Sequence, residues 1–123
     1  MDFEALLKTA TAVARANPVP EGEPFRVTDV NLTARSSTAV ASIRAGGGLR
    51  PHIHHEHDEI IVFLEGEADF RIGDQSRRVR AGDVVTVPAG VVHATYNAHT
   101  DCLLAAVFAP YFDRDNEDRE YVD

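Results

Sequence analysis

Residues 46–66 read GGGLRPHIHHEHDEIIVFLEG, and how this stretch is read decides the fold. It opens on Gly46, Gly47 and Gly48, which break the chain. Four of the six histidines follow between positions 52 and 57, a density that an ordinary surface has no reason to carry. Side chains alternate on an extended strand, so His52 and His54 share one face and His55 takes the other. Two imidazoles on one face, two residues apart, can grip one metal ion through neutral nitrogen donors. Such donors suit Fe, Mn, Co, Ni, Cu and Zn. Glu59 stands where the apolar run Ile60–Leu64 begins. A carboxylate there needs a partner, a metal ion or an exit to solvent.

Outward from this stretch the chain keeps a β pattern. Short runs rich in strand-forming residues alternate with turn signals: Phe25–Leu32, Thr38–Arg44, Pro51–His54, Glu59–Leu64, Ala68–Ile72, Ser76–Val79, Val84–Val87, His93–Asn97 and Leu103–Phe108. Gly73-Asp74 reads as a hairpin turn, with further turns at Glu65-Gly66-Glu67 and Ala81-Gly82-Asp83. About nine short strands at near-regular spacing predict an all-β sandwich or barrel. Before them, Phe3, Leu6, Leu7, Ala10, Val13 and Ala14 recur with helical period, and Asn17-Pro18 ends that helix. Its apolar stripe must cover the outside of the barrel or a partner subunit. The reading divides the chain into a helix and arm (1–24), a barrel (25–112) and an acidic tail (113–123). The tail carries six acids against two arginines, a net of −4, and is expected to be a solvated or fraying end.

Bulk properties narrow the function classes. The 123 residues suit one domain, and 44% apolar residues allow one core. The net charge of −8 and the absence of a Lys/Arg stripe argue against nucleic acid. Apolar runs such as Ile60–Leu64 fall far short of a bilayer span, and the start of the chain lacks a leader pattern. A cytoplasmic protein without membrane contact is expected. Cys102, the single cysteine, is expected to be a buried small hydrophobe.

A second stretch, residues 82–97, reads GDVVTVPAGVVHATYN. Together the two stretches resemble the cupin superfamily. The first cupin motif matches at Gly46, His52-Ile53-His54, Glu59 and Gly66, and the second at Gly82, Pro88-Ala89-Gly90, His93 and Asn97. The resemblance implies a single-domain jelly-roll β-barrel with a short N-terminal α-helix. It carries the metal-ligand role to His52, His54, Glu59 and His93. It gives Gly46, Gly66, Gly82 and Gly90 turn duties, makes Pro88 a turn fixer and has Asn97 brace a loop.

The implied cofactor is one divalent transition-metal ion (Fe, Mn, Ni, Zn, Co or Cu), with open positions for water or substrate. The expected function is a metal-dependent enzyme acting on a small organic molecule, with dioxygenase chemistry ahead of isomerase or lyase chemistry. The alternative is a non-catalytic binder or sensor that keeps the metal for structure or ligand capture. Glu59 is the candidate catalytic group. Alternation places Ile61 and Phe63 on the Glu59 face, and Thr95 and Asn97 on the His93 face. The expected substrate pocket is Arg50, His57, Ile61, Phe63 and Thr95, with Arg50 a clamp for a substrate carboxylate. His55 and His99 are expected at the surface. Small barrels of this kind commonly pair, so a homodimer is expected, with the helix and Phe25–Leu32 at its interface.

Overall fold

The computed structural model describes residues 2–122. One helix, α1 (Phe3–Ala16), precedes ten strands: β1 (Phe25–Leu32), β2 (Ser37–Ile43), β3 (His52–His54), β4 (Asp58–Glu65), β5 (Glu67–Ile72), β6 (Gln75–Arg80), β7 (Val84–Val87), β8 (His93–Tyr96), β9 (Cys102–Ala109) and β10 (Arg119–Tyr121). They form two antiparallel five-stranded sheets. Sheet A runs β1-β2-β9-β4-β7, and sheet B runs β10-β3-β8-β5-β6. The all-β jelly roll expected from the sequence is the fold observed.

The core between the sheets follows from alternation. Ala41 and Ile43 of β2, Ile61 and Phe63 of β4 and Leu104, Ala106 and Phe108 of β9 face Ala68 and Phe70 of β5 and Val79 of β6. Phe70 is fully buried. Burying a side chain of that kind contributes about 1.5–3 kcal/mol relative to leaving it in water. Strand β9 is buried at almost every position because both its faces are covered. Its other face, with Val40 and Leu64, receives Leu6, Leu7, Ala10, Val13 and Ala14 of α1. The stripe on α1 is therefore taken up by the outside of sheet A. Asp2 caps the helix by accepting from the Ala5 N–H at 2.8 Å, and the Asn17-Pro18 step ends it.

Both faces of β4 are covered, so alternation buries successive residues on opposite sides up to a register shift between Phe63 and Glu65. Phe63 enters the inner core and Leu64 packs under the helix. Gly66 follows with φ +86°, and a side chain there would meet the Asp101 carbonyl, so only glycine suits that turn.

The acidic tail is expected to be solvated or fraying; Asp113, Asp115, Glu117 and Glu120 are exposed, but the described residues are structured. It does not fray: a 3₁₀ turn (Arg114–Asn116) leads into β10, which pairs antiparallel with β3 in the register Arg119↔His54, Glu120↔Ile53 and Tyr121↔His52. Part of its charge is held by specific partners. Arg114 meets Asp29 and Glu117, Arg119 meets Glu117, Glu120 meets His55, and Asp118 meets His54 and His57.

Candidate metal centre

Strand β3 is only three residues long, and its alternation turns His52 and His54 to the interior. Strand β8 brings His93 directly opposite His52. Glu59 arrives from the other sheet, at the start of β4. The turn before β8 is tied to β3 by the Gly90 N–H, which donates to the His54 carbonyl at 2.9 Å. All four side chains are buried, and each offers one ligand atom within 4.8 Å of the other three. The group could hold a metal ion.

The outer nitrogen of each imidazole decides what the inner one presents. His52 Nδ1 lies 2.7 Å from the Arg50 carbonyl, and His93 Nδ1 lies 3.1 Å from the Val91 carbonyl. His54 Nδ1 lies 3.3 Å from Asp118 Oδ1. Carbonyls and carboxylates only accept, so each Nδ1 carries a proton, and a neutral imidazole then offers its Nε2 lone pair to the interior. Glu59 Oε1 then lies 2.9 Å from His93 Nε2 and 3.6 Å from His54 Nε2. Acceptors facing one another in a buried place need a cation, a proton or a metal ion, between them. This donor set fits a divalent transition metal.

Burial also disfavours the charged forms of His52 and His54. It lowers His52 to a pKa of about 4, against the opposing hydrogen bond to Arg50 and with help from His93 and His54. It lowers His54 as well, although Glu59 pulls the other way. His57 differs. Partial burial disfavours its charge, but the Asp118 carboxylate and the Tyr111 carbonyl outweigh that and raise its pKa.

The four residues line a cavity of about 50 Å³. Its wall is mostly apolar, from Ala39, Ala41, Ile61, Leu104, Ala106 and Phe108, with Thr95, Arg114 and Arg119 as the remaining polar groups. Of the residues expected in a substrate pocket, Ile61 and Thr95 line this cavity. A wider groove of about 390 Å³ between α1 and the ends of β2 and β9 holds no such ligating cluster.

Three expected pocket residues lie elsewhere. Arg50 is exposed and stacks over the Tyr121 ring at 4.3 Å. The chain is not yet a strand there, since β3 begins at His52, so alternation does not extend back to it. Phe63 faces inward as predicted but sits away from the cavity, edge-on to Phe70 at 5.9 Å. His57 is held by Asp118 at 3.0 Å and Tyr111 at 2.9 Å, with its ring 5.0 Å from Phe112. Asn97 leaves the His93 face because its φ of +48° ends the strand; it braces a loop by donating to Asp69 at 2.8 Å. His55 and His99 sit outside the cluster, on Glu120 at 2.7 Å and Asp69 at 3.2 Å.

The sequence reading missed Asp118, Arg114 and Arg119. Asp118 accepts from the Glu56 N–H at 2.6 Å and from His57 with one oxygen, and from His54 with the other. Arg119 holds the one buried side-chain polar atom without a hydrogen-bond partner among the described residues, its Nε. Leaving such a donor unpaired costs about 1–3 kcal/mol. No local pattern marks these residues, because the positions of Asp118 and Arg119 come from the pairing of β10 with β3 and that of Arg114 from its ion pair with Asp29 of β1.

Comparison with known proteins agrees with this architecture. A model of the cupin domain matches residues 39–108. An uncharacterized protein of Aquifex aeolicus (strain VF5) is 32% identical over 91 residues, 74% of each chain. A double-stranded β-helix protein from Klebsiella pneumoniae superposes with a TM-score of 0.75 at 20% identity, covering 89% of this chain and 94% of that one. KdgF from Halomonas superposes with a TM-score of 0.70 at 23% identity, covering 79% and 88%.

Proposed function

The chain belongs to the cupin family, and from that premise we propose that it is a metal-dependent enzyme acting on a small organic molecule. One divalent transition-metal ion would be held by His52, His54, Glu59 and His93. The observation that carries this reading is the convergence of three buried imidazoles, each with its Nδ1 already bonded to an acceptor, on one buried carboxylate. Neutral imidazoles and one carboxylate leave a divalent ion with a net charge of about +1. Such an ion, when bound, supplies Lewis-acid polarisation of a substrate oxygen or, if redox-active, chemistry with O₂.

The side chains around the cluster favour an oxygenase over an isomerase. An isomerase needs a general base with a lone pair to spare. Within the cavity only the four clustered residues, Thr95, Arg114 and Arg119 are polar, and arginine does not deprotonate. His57, the other candidate base, does not line the cavity. Base chemistry would fall to Glu59 alone, and Glu59 belongs to the ligand set. The apolar part of the wall suits a reaction with a dissolved gas and a compact substrate.

Elemental analysis of protein purified without a metal-affinity step tests the reading. About one iron, manganese, nickel, zinc, cobalt or copper per chain is expected, and none at stoichiometric level would overturn it. Substrate-dependent O₂ uptake separates the enzyme from a binder that keeps its metal only for ligand capture. We also propose that the chain pairs as a homodimer. Strand β1 has an unpaired edge at the end of sheet A, and Val30 on it is half-exposed. A sedimentation mass of a single chain at micromolar concentration would refute the pairing.

A further inference from the structure

Two arginines of the tail stand between the ligand cluster and solvent. Arg114 and Arg119 line the cavity, and both also line an open groove of about 430 Å³ on the surface. With Val27 they are the residues common to the linings of the two spaces. Arg119 owes its place to the register of β10. It pairs with His54, and cross-strand neighbours share a face, so it projects to the side that carries the imidazoles.

The two arginines differ in what occupies them. Arg114 sets Nε and Nη2 on the Asp29 carboxylate at 3.2 and 2.8 Å, and Nη1 on Glu117 at 3.3 Å. Its fork is filled. Arg119 bonds Glu117 through Nη2 at 3.3 Å and the Tyr121 hydroxyl through Nη1 at 3.1 Å, while Nε is buried without a partner. Glu117 Oε1 serves both arginines, so Arg119 has no carboxylate of its own. A guanidinium presents parallel N–H donors that match the two oxygens of a carboxylate.

We propose that Arg119 is a binding residue for a carboxylate group, and that the ligand of this cavity is a compact organic acid. The free Nε is the donor such a group would complete. The cavity volume and its apolar wall limit the ligand to a short skeleton. The inference rests on the metal-site reading for what the rest of the ligand meets, whereas the Arg119 contact stands without the ion. It also moves the clamp role expected of Arg50 to a residue 69 positions later in the chain.

Calorimetric titration of malonate, with neutral malonamide as control, tests this on the full chain in zinc-loaded and metal-free forms. Malonate is expected to bind the wild-type protein and malonamide is not. Arg119→Gln is expected to weaken malonate binding about tenfold or more while zinc uptake stays at the wild-type level. Arg119→Lys keeps the charge and loses the fork, so it should also weaken binding, with a melting temperature near wild type to show that β10 is intact. Equal malonate affinity in wild type and both variants, or no binding to wild type, would overturn the proposal. If wild type takes up no zinc, the metal reading falls, and the metal-free titrations still decide the role of Arg119.

Discussion

Sheet A and sheet B are built to the same count of strands from different material. Four of the five strands of sheet A run seven or eight residues, and its central strand β9 is apolar on both faces. In sheet B the strands β3, β8 and β10 run three or four residues, and two of them carry all three clustered histidines. Sheet A gains its stability from area, sandwiched between α1 and the inner core. Sheet B holds polar groups in the interior, and Asp118 ties down the end of β3 by bonding His54 and, just after the strand, Glu56 and His57. The bulk of the apolar burial therefore lies with sheet A, while three of the four clustered residues sit on sheet B and Glu59 alone comes from sheet A.

The largest test of that division is Leu64→Ala, on the helix-facing side of sheet A. Leu64 is almost completely buried, so denaturant unfolding should show a loss of about 2–5 kcal/mol. Metal stoichiometry, measured where the variant is still folded, should be unchanged. Loss of metal uptake in the folded variant would break the division. His52→Ala is the converse. Metal-free thermal stability should change little, but the stabilisation of wild type by added metal, about 2.7 kcal/mol at a hundredfold excess over Kd, should vanish. A metal-induced melting shift that survives this substitution would remove His52 from the ligand set.

The seam between strand chemistry and tail comes next in size. Asp118→Asn weakens the acceptor that orients His54, and metal affinity measured by competition with a chelator should fall by about 10–100-fold. An unchanged affinity would mean that His54 is oriented by packing against Phe108 and Phe112 alone, whose rings each lie 5.3 Å away. The smallest expected effect is that of Asp2→Ala. Loss of this cap should cost about 1 kcal/mol in unfolding, with no effect on metal or malonate binding.

The same division explains what was legible in the sequence. The long strands of sheet A and the helix announce themselves, because burial on a face leaves a period in the residues. His52, His54 and Glu59 could be read locally, and His93 only through the resemblance of its surroundings to a family motif. Strand β10 was unreadable. Arg119-Glu120-Tyr121 has no apolar alternation, and it becomes a strand because β3 offers an edge. Arg50 and Arg119 make the point for the site. Two residues' distance from His52 along the chain suggested a clamp at Arg50, whereas the residue on the inner face comes from the tail through tertiary pairing. Phe63 shows a milder limit: alternation gave its face correctly but not its depth in the core.

The place of β9 in sheet A has a bearing on how the chain folds as it is made. Strands β2 and β4 lie on either side of β9 and join only through it, with Ser37 opposite Phe108 and Glu59 opposite the same residue. Until residues 102–109 have left the ribosome, the β1–β2 hairpin and the β4–β7 pair are two fragments with bare edges and no common core. Glu59 then has no fixed relation to β3, so ion capture is expected to follow synthesis of β9 rather than accompany emergence of the histidines. Stalled nascent chains that end before residue 102 should stay protease-sensitive in the presence of metal, and protection of such chains would show that the ion organises the fragment by itself.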